Sequence, residues 1–395
     1  MPQKLQIVDQ PAAVDAAEWD ALLEQQRAPT PFMRMEYLAA LHASGSATRR
    51  TGWTPRFFLL REDRELVAAC PVYVKSHSWG EYVFDFAWAN AYAEHGLDYY
   101  PKAVVAVPFT PVPGSRLLAK DAVGRAALVR HLLDWCAARQ LSSLHVLFCD
   151  AADATACAAS GLMARRQVEF HWHNRHPQTG EPFADFGDFL TALARDKRKK
   201  IRQERRRVRD AGVTFRSARG RDITPEDWAF FYRCYERTYL EHGNAPYLTP
   251  AFFAAMAERM AATWLLFIAE RRGEPIACSL IGLQPPPHPR SGAVAYGRYW
   301  GAIERVDCLH FEACYYQPIE WCIAHGVTRF EGGAQGEHKL ARALLPAMTQ
   351  SAHWIAHPAF AQAIARFLAR ENAGVERYRA VLDEHAPYAH AAQPG

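Results

Sequence analysis

The stretch densest in reactive side chains is FEGGAQGEHKLARALLP, residues 330 to 346, which gathers three glycines, two carboxylates, an amide, an imidazole, a lysine and an arginine. Without Cβ atoms, Gly332 and Gly333, with Gln335 beside them, let backbone N–H groups close on an anion or an oxyanion. Lys339 would add a point charge to that cradle. The phosphate loop GxxxxGK[ST] is absent, so a nucleotide-triphosphatase cradle is excluded. Proton transfer would fall to Glu337 or His338, the latter titrating near neutral pH, while Glu331 closes the preceding strand. A tight turn or β-bulge serving packing alone is the plainer reading of the same glycines.

Other residues extend the candidate site. In YGRYWG, Arg298 alternates with Tyr299, which would put its charge on one sheet face beside Trp300 as a substrate contact. Arg195 to Asp210, RDKRKKIRQERRRVRD, carries ten basic residues against three acids although the whole chain is only +4. As a helix it would dock through Ile201 and Val208 and leave Arg198, Lys199, Arg202, Arg205 and Arg206 for phosphates or acidic groups. A solvated charged face and RNA binding are the alternatives. In the first half, SWGEYVFDFAWANAYAEHG and the later YYPK bring Asp85 and Lys102 forward as acceptor-binding residues. His310 and Cys314 are four apart on one helix, a spacing open to a Cys-His nucleophile. His171 and His173 share a strand face compatible with a metal, but no cluster at ligand spacing accompanies them, so no metal site is expected.

These residues need elements to hold them. At 395 residues the chain exceeds one ordinary core, and half of it is hydrophobic, which points to two folded domains rather than disorder. No run reaches the length of a membrane span and the start lacks the order of a signal peptide, so a cytoplasmic protein is expected. Nine cysteines with no CxxC pair read as reduced, buried thiols.

FLLREDRELVAAC from Phe58 and FIAERRGEPIACS from Phe267 match in kind at an offset of 209 residues. Each reads as strand, charged turn, strand, so two related halves are expected. Further strands are expected at EYVFDF, KAVVAVPF, SSLHVLFCD, AVAYGRYWG, VTRFEGG and SAHWIA. Helices are expected at GRAALVRHLLDWCAARQ, DWAFFYRCYERTYLEHG, TPAFFAAMAERMA and LHFEACYYQPIEWCIAHG, the last stopped by Gly326, and QPPPHPRSG is a loop tip. The order argues for an α+β architecture with two sheets.

GRYWGA, LHFEACYYQPIEWCIAHGVTRFEGGAQGEHKLARALLP and SAHWIA, with SHSWGEYVFDFAWANAY and YYPKAVVAVPFTPVPGSRLL, resemble the FemAB-like branch of the GNAT acyltransferases. That resemblance covers the chain from about Trp19 to residue 385. It implies two tandem GNAT-like domains, each a mixed, mostly antiparallel sheet flanked by helices, over 1–185 and 186–395, the second opened by the basic helix 190–211. It also implies an N-acyltransferase related to peptidoglycan synthesis, with no tightly bound cofactor and direct transfer that needs no covalent Cys-His intermediate. More distantly the chain is similar to Fem-type peptidyltransferases, which use aminoacyl-tRNA. Their Arg-x-x-Ile-Arg corresponds to Arg198–Arg202, and their Gly-Gly then Phe-Lys to Gly332–Gly333 and His338–Lys339. The basic helix is about one turn longer here and no helical arm interrupts the second half. The expected reaction joins an acyl group, from acyl-CoA in the first instance and aminoacyl-tRNA in the second, to an amine on a small anionic acceptor. A non-catalytic anion or RNA binder on the same fold is the third possibility.

Overall fold

A computed structural model describes residues 3–286, 292–334 and 336–388; most of the QPPPHPRSG tip and Gln335 lie outside them. The chain divides into two compact units, each described separately. Its strands are β1 (Gln3–Val8), β2 (Trp53–Glu62), β3 (Glu65–Lys75), β4 (Lys102–Val105), β5 (Leu118–Ala119), β6 (Ser143–Val146), β7 (Met163–His173), β8 (Val213–Arg219), β9 (Trp264–Arg271), β10 (Glu274–Gln284), β11 (Ala293–Ala302), β12 (Val327–Ala334) and β13 (Leu345–Ile355).

The first unit comprises Met1–Gln167, Tyr247–Phe252 and Met348–Arg377. Its strands lie in the order β1-β2-β3-β4-β6-β13, with the short β5 also on β3. All the pairings are antiparallel except β4 on β6. Phe58, Leu60, Val67, Cys70, Leu128, Leu132 and Leu144 form the core between sheet and helix Ala122–Ala138, whose start is fixed by the Asp121 carboxylate accepting the Gly124 N–H at 2.8 Å.

The second unit comprises Val168–Pro246, Phe253–Ala347 and Tyr378–Gly395, with strands in the order β8-β9-β10-β11-β12-β7. Again only one pairing is parallel, β11 on β12. The two orders match place by place, with one exchange. The sixth place in the first unit is taken by β13, which follows β12 in the chain, and in the second unit by β7, which follows β6. The units therefore divide near 167/168 with later segments returning, where an uninterrupted boundary at 185/186 was expected. Strands taken from the far end of the chain leave no composition break to read.

The sequence repeat falls on the β2–β3 and β9–β10 hairpins. Asp63 and Arg272, 209 apart, both adopt positive φ, 53° and 56°, in the two turns, a conformation side chains seldom take outside tight turns. Gly326 sits at φ 65° after helix Gln317–Ala324, as expected of a terminating glycine. EYVFDF, expected as a strand, instead leads into helix Phe86–Glu94. Its aromatic and β-branched residues Tyr82, Val83 and Phe84 imitate a strand, yet Phe84 is exposed, and in the helix that follows Trp88 and Tyr92, one helical turn apart, are the residues buried. All nine cysteines are free thiols and seven are buried. Among the described residues no helix is long and apolar enough to cross a membrane.

Candidate active site

In the second unit, β11 and β12 run side by side from Ala293 to Tyr296 and from Val327 to Glu331, then part. Glycine follows on both strands. A Cβ on Gly332 would lie 2.3 Å from the Leu344 side chain and 3.1 Å from the Phe170 carbonyl oxygen, so this strand tolerates no side chain there. Beyond the parting lies a cleft of about 210 Å³ lined by Gly297, Arg298, Trp300, His310, Gly332 and Lys339, among others.

A bulge shapes one wall. The register of β10 against β11 slips between Leu280 and Ile281, so that Tyr299 pairs with Leu280 and Gly297 with Ile281. Arg298 is the extra residue, and four consecutive residues, Gly297 to Trp300, consequently line one cleft. Simple alternation, the basis for placing Arg298 on Trp300's face, does not hold at a bulge. The Arg298 guanidinium donates to Tyr299 Oη at 3.2 Å.

A π-helix, Glu312–Tyr316, forms the opposite wall. The Gln317 N–H bonds the Glu312 carbonyl in that register, so the Ala313 carbonyl would next look to residue 318, which is proline and has no N–H. The buried Ser279 hydroxyl donates to Ala313 O at 2.5 Å instead, tying β10 to the helix. This irregular turn presents Cys314 and Tyr315 to the cleft, and the short helix Leu309–Phe311 before it presents His310. Burial, reinforced by His338, Arg342 and Lys339, lowers the His310 pKa to about 4, so its imidazole is neutral. Burial pushes the Cys314 thiol up, which removes the thiolate a Cys-His nucleophile requires.

Lys339 is buried and donates from Nζ to the Gly333 carbonyl at 3.0 Å. Desolvation, partly offset by the Glu169 carboxylate, lowers its pKa to about 8. Its neighbours on the 3-10 turn Glu337–Arg342 are placed differently. Glu337 is exposed and accepts from Tyr378 Oη at 2.9 Å. His338 is exposed, shares a hydrogen bond with Tyr315 Oη at 3.1 Å, and is lowered by desolvation with Arg342 and Lys339 adding to it. Neither lines the cleft. The turn is clamped through Arg342, whose Nη2 lies 2.8 and 2.9 Å from the Glu204 carboxylate oxygens and whose guanidinium covers the Phe311 ring at 3.4 Å.

Helix Arg195–Asp210 buries Ile201, Val208 and also Glu204. Arg205, expected to be available, pairs with Glu312 and Glu320 at 3.0 and 2.6 Å. Arg202, Arg206 and Arg209, without ion pairs among the described residues, line a second cleft of about 660 Å³ with Arg205. Arg198 does not line it and lies 3.4 Å from the Thr191 carbonyl.

Asp85 and Lys102 lie in the first unit and are not presented to a ligand. Both are buried, Lys102 Nζ lies 2.5 Å from Asp85 Oδ2 and 2.8 Å from Glu81 Oε2, and Tyr99 donates to Asp85 at 2.7 Å. The Lys102 ammonium holds the Asp85 pKa down despite its burial. Both were expected at the acceptor; here they belong to a buried ion-pair network with Glu81.

The described fold is α+β, with one strand order repeated in the two units. The family model described as FemAB-like, peptidoglycan biosynthesis/recognition, matches residues 10–390, and the chain belongs to that family. No curated protein sequence matches it. Among solved structures, FemX is similar over 92% of this chain and 100% of its own, with TM-score 0.55 and 10% identity. L-PGS from Bacillus licheniformis is similar over 92% and 99%, with TM-score 0.54 and 12% identity. A tandem GNAT protein from the clavulanic acid biosynthesis pathway is similar over 90% and 99%, with TM-score 0.44 and 14% identity.

Proposed function

We propose that this protein is an N-acyltransferase whose donor, acyl-CoA in the first instance, places its carbonyl in the cleft where β11 and β12 part. The observation that carries the reading is the joint placement of Gly297, Gly332 and the buried Lys339 around that 210 Å³ space. Gly297 leaves room for a pantetheine-like arm, and strand N–H groups freed by the parting can meet its polar atoms. A neutral amine attacks the carbonyl carbon and the new C–N bond leaves a tetrahedral oxyanion; its collapse then breaks the C–S bond, and the nitrogen's proton passes to the departing sulfur. The Lys339 ammonium stabilises the oxyanion formed between those events. Glu337 and His338, outside the lining, have no part in this step, and Arg298 is placed to hold an anionic group of the acceptor.

The second cleft favours a second reading, aminoacyl-tRNA as donor. Its Arg202, Arg206 and Arg209 suit the phosphates of a large polyanion better than a small acceptor. Native mass spectrometry against acetyl-CoA, longer acyl-CoAs and an aminoacyl-tRNA pool separates the two. Saturable CoA-ester binding that Lys339→Ala weakens supports the first. Binding of aminoacyl-tRNA alone, weakened by Arg202→Ala and Arg206→Ala together, replaces it with the second.

A further inference from the structure

On β7 and β12 three buried side chains converge outside the lining of either cleft. His171 pairs across the strands with Glu331, and Glu169 lies two residues before His171 on the same face. His171 Nε2 is 3.3 Å from Glu169 Oε2 and 3.9 Å from Glu331 Oε2, and one donor atom from each residue falls within 4.8 Å of the others. Glu331 supplies the second observation. It is 5% exposed, Arg329 Nη2 holds its Oε1 at 2.9 Å, and its buried Oε2 takes no hydrogen bond while turned toward His171.

We infer that Glu169, His171 and Glu331 form a binding site for one divalent transition-metal ion. Two carboxylates brought together away from water repel unless a cation or a proton lies between them. One imidazole nitrogen is the third donor, within 4.8 Å of both carboxylates. An imidazole with two carboxylates suits Zn²⁺, Mn²⁺ or Fe²⁺ better than Mg²⁺ or Ca²⁺, which take oxygen ligands, and the lack of thiolate disfavours Cu⁺. Arg329 is the outer partner that fixes the Glu331 carboxylate. The flanking cations Arg329 and Lys339 oppose a dication, so micromolar rather than nanomolar affinity is expected. His173 is not one of the three donors: it pairs with Arg329, two register steps away.

The test is uptake of Zn²⁺ and, separately, Mn²⁺ by the full chain after chelator treatment, read by equilibrium dialysis with elemental analysis and by thermal shift. One ion per chain is expected, with Tm rising as metal is added. His171→Ala and the isosteric Glu331→Gln should each weaken uptake at least tenfold, while matching wild type in circular dichroism without metal. Uptake below about a tenth of an equivalent of both ions by wild type overturns the inference without recourse to any variant, and means that a proton holds the carboxylates together. Full uptake by both folded variants overturns it equally.

Discussion

Each unit contains one parallel pair of strands, and the space beyond that pair is solid in the first and open in the second. After Val105 and Val146 the first unit continues with Ala106 and Leu147, both buried. Arg116, 1% exposed, inserts there, its Nε donating to the Leu147 carbonyl at 3.1 Å and its Nη2 to that of Val112. After Tyr296 and Glu331 the second unit continues with Gly297 and Gly332, and a cleft follows. Identical strand order thus gives a filled junction or a binding space according to a few residues. Topology makes the opening available; side-chain volume decides whether it stays open.

The comparison breaks most sharply at Arg116. Arg116→Met removes the donors of at least two buried carbonyls, at a cost of about 3 kcal/mol. Urea unfolding should show that loss, and acyl transfer per folded molecule should be unchanged if the first unit is catalytically silent. Filling the second junction is the converse. Gly297→Val places its Cβ at 3.4 Å from Glu331 O and the Phe330 ring, ordinary contact distances. It should weaken CoA-ester binding about a hundredfold, roughly 2.7 kcal/mol, with Tm shifted by about 2 °C or less. Undiminished binding in that variant would move the donor elsewhere.

Lys339→Ala should lower kcat/KM at least tenfold, about 1.4 kcal/mol; wild-type kinetics would remove Lys339 from the mechanism. The smallest effect sharpens the contrast from the closed side. Lys75 lies over the Trp53 ring at 3.4 Å and 4.0 Å from Glu81 Oε1. Desolvation outweighs Glu81 and Asp85 and lowers its pKa from 10.5 to about 7, with Lys102 adding to the shift. Between about pH 7 and 10 the unfolded chain holds the Lys75 proton and the folded chain does not, so stability rises with pH, by at most about 1.4 kcal/mol per unit. Burial raises Glu81 to about 7 from 4.5, so its contribution is full below pH 4.5 and lost as pH rises through 7, outside that window. Lys75→Met should flatten the rise between pH 7 and 9 in urea unfolding; an unchanged slope would assign it to other groups.

Much of this contrast could be read before any coordinates. The hairpin repeat announced two related halves because strand pairing and tight turns are local, and the glycine-rich strand end and Lys339 stood out because glycine marks places where backbone must come close. The basic helix showed itself by charge, and the free cysteines by the lack of paired spacing. What misled was pattern without partners: aromatic residues in EYVFDF imitated a strand, Glu337 and His338 shared a motif with Lys339 but do not line its cleft, and Asp85 and Lys102, expected at a ligand, are buried together as an ion pair.

Composition and local order by themselves determined the two α+β halves, the hairpins, most helices and the segment that carries the cleft. Only the tertiary structure decided the exchange of β7 and β13, the bulge at Arg298, the capture of Ala313 O by Ser279 and the meeting of Glu169 and His171 with Glu331. Each of these depends on strands or side chains brought together from distant parts of the chain. Register and burial, which local sequence does not encode, choose which polar group a carbonyl, a carboxylate or a cleft finally meets.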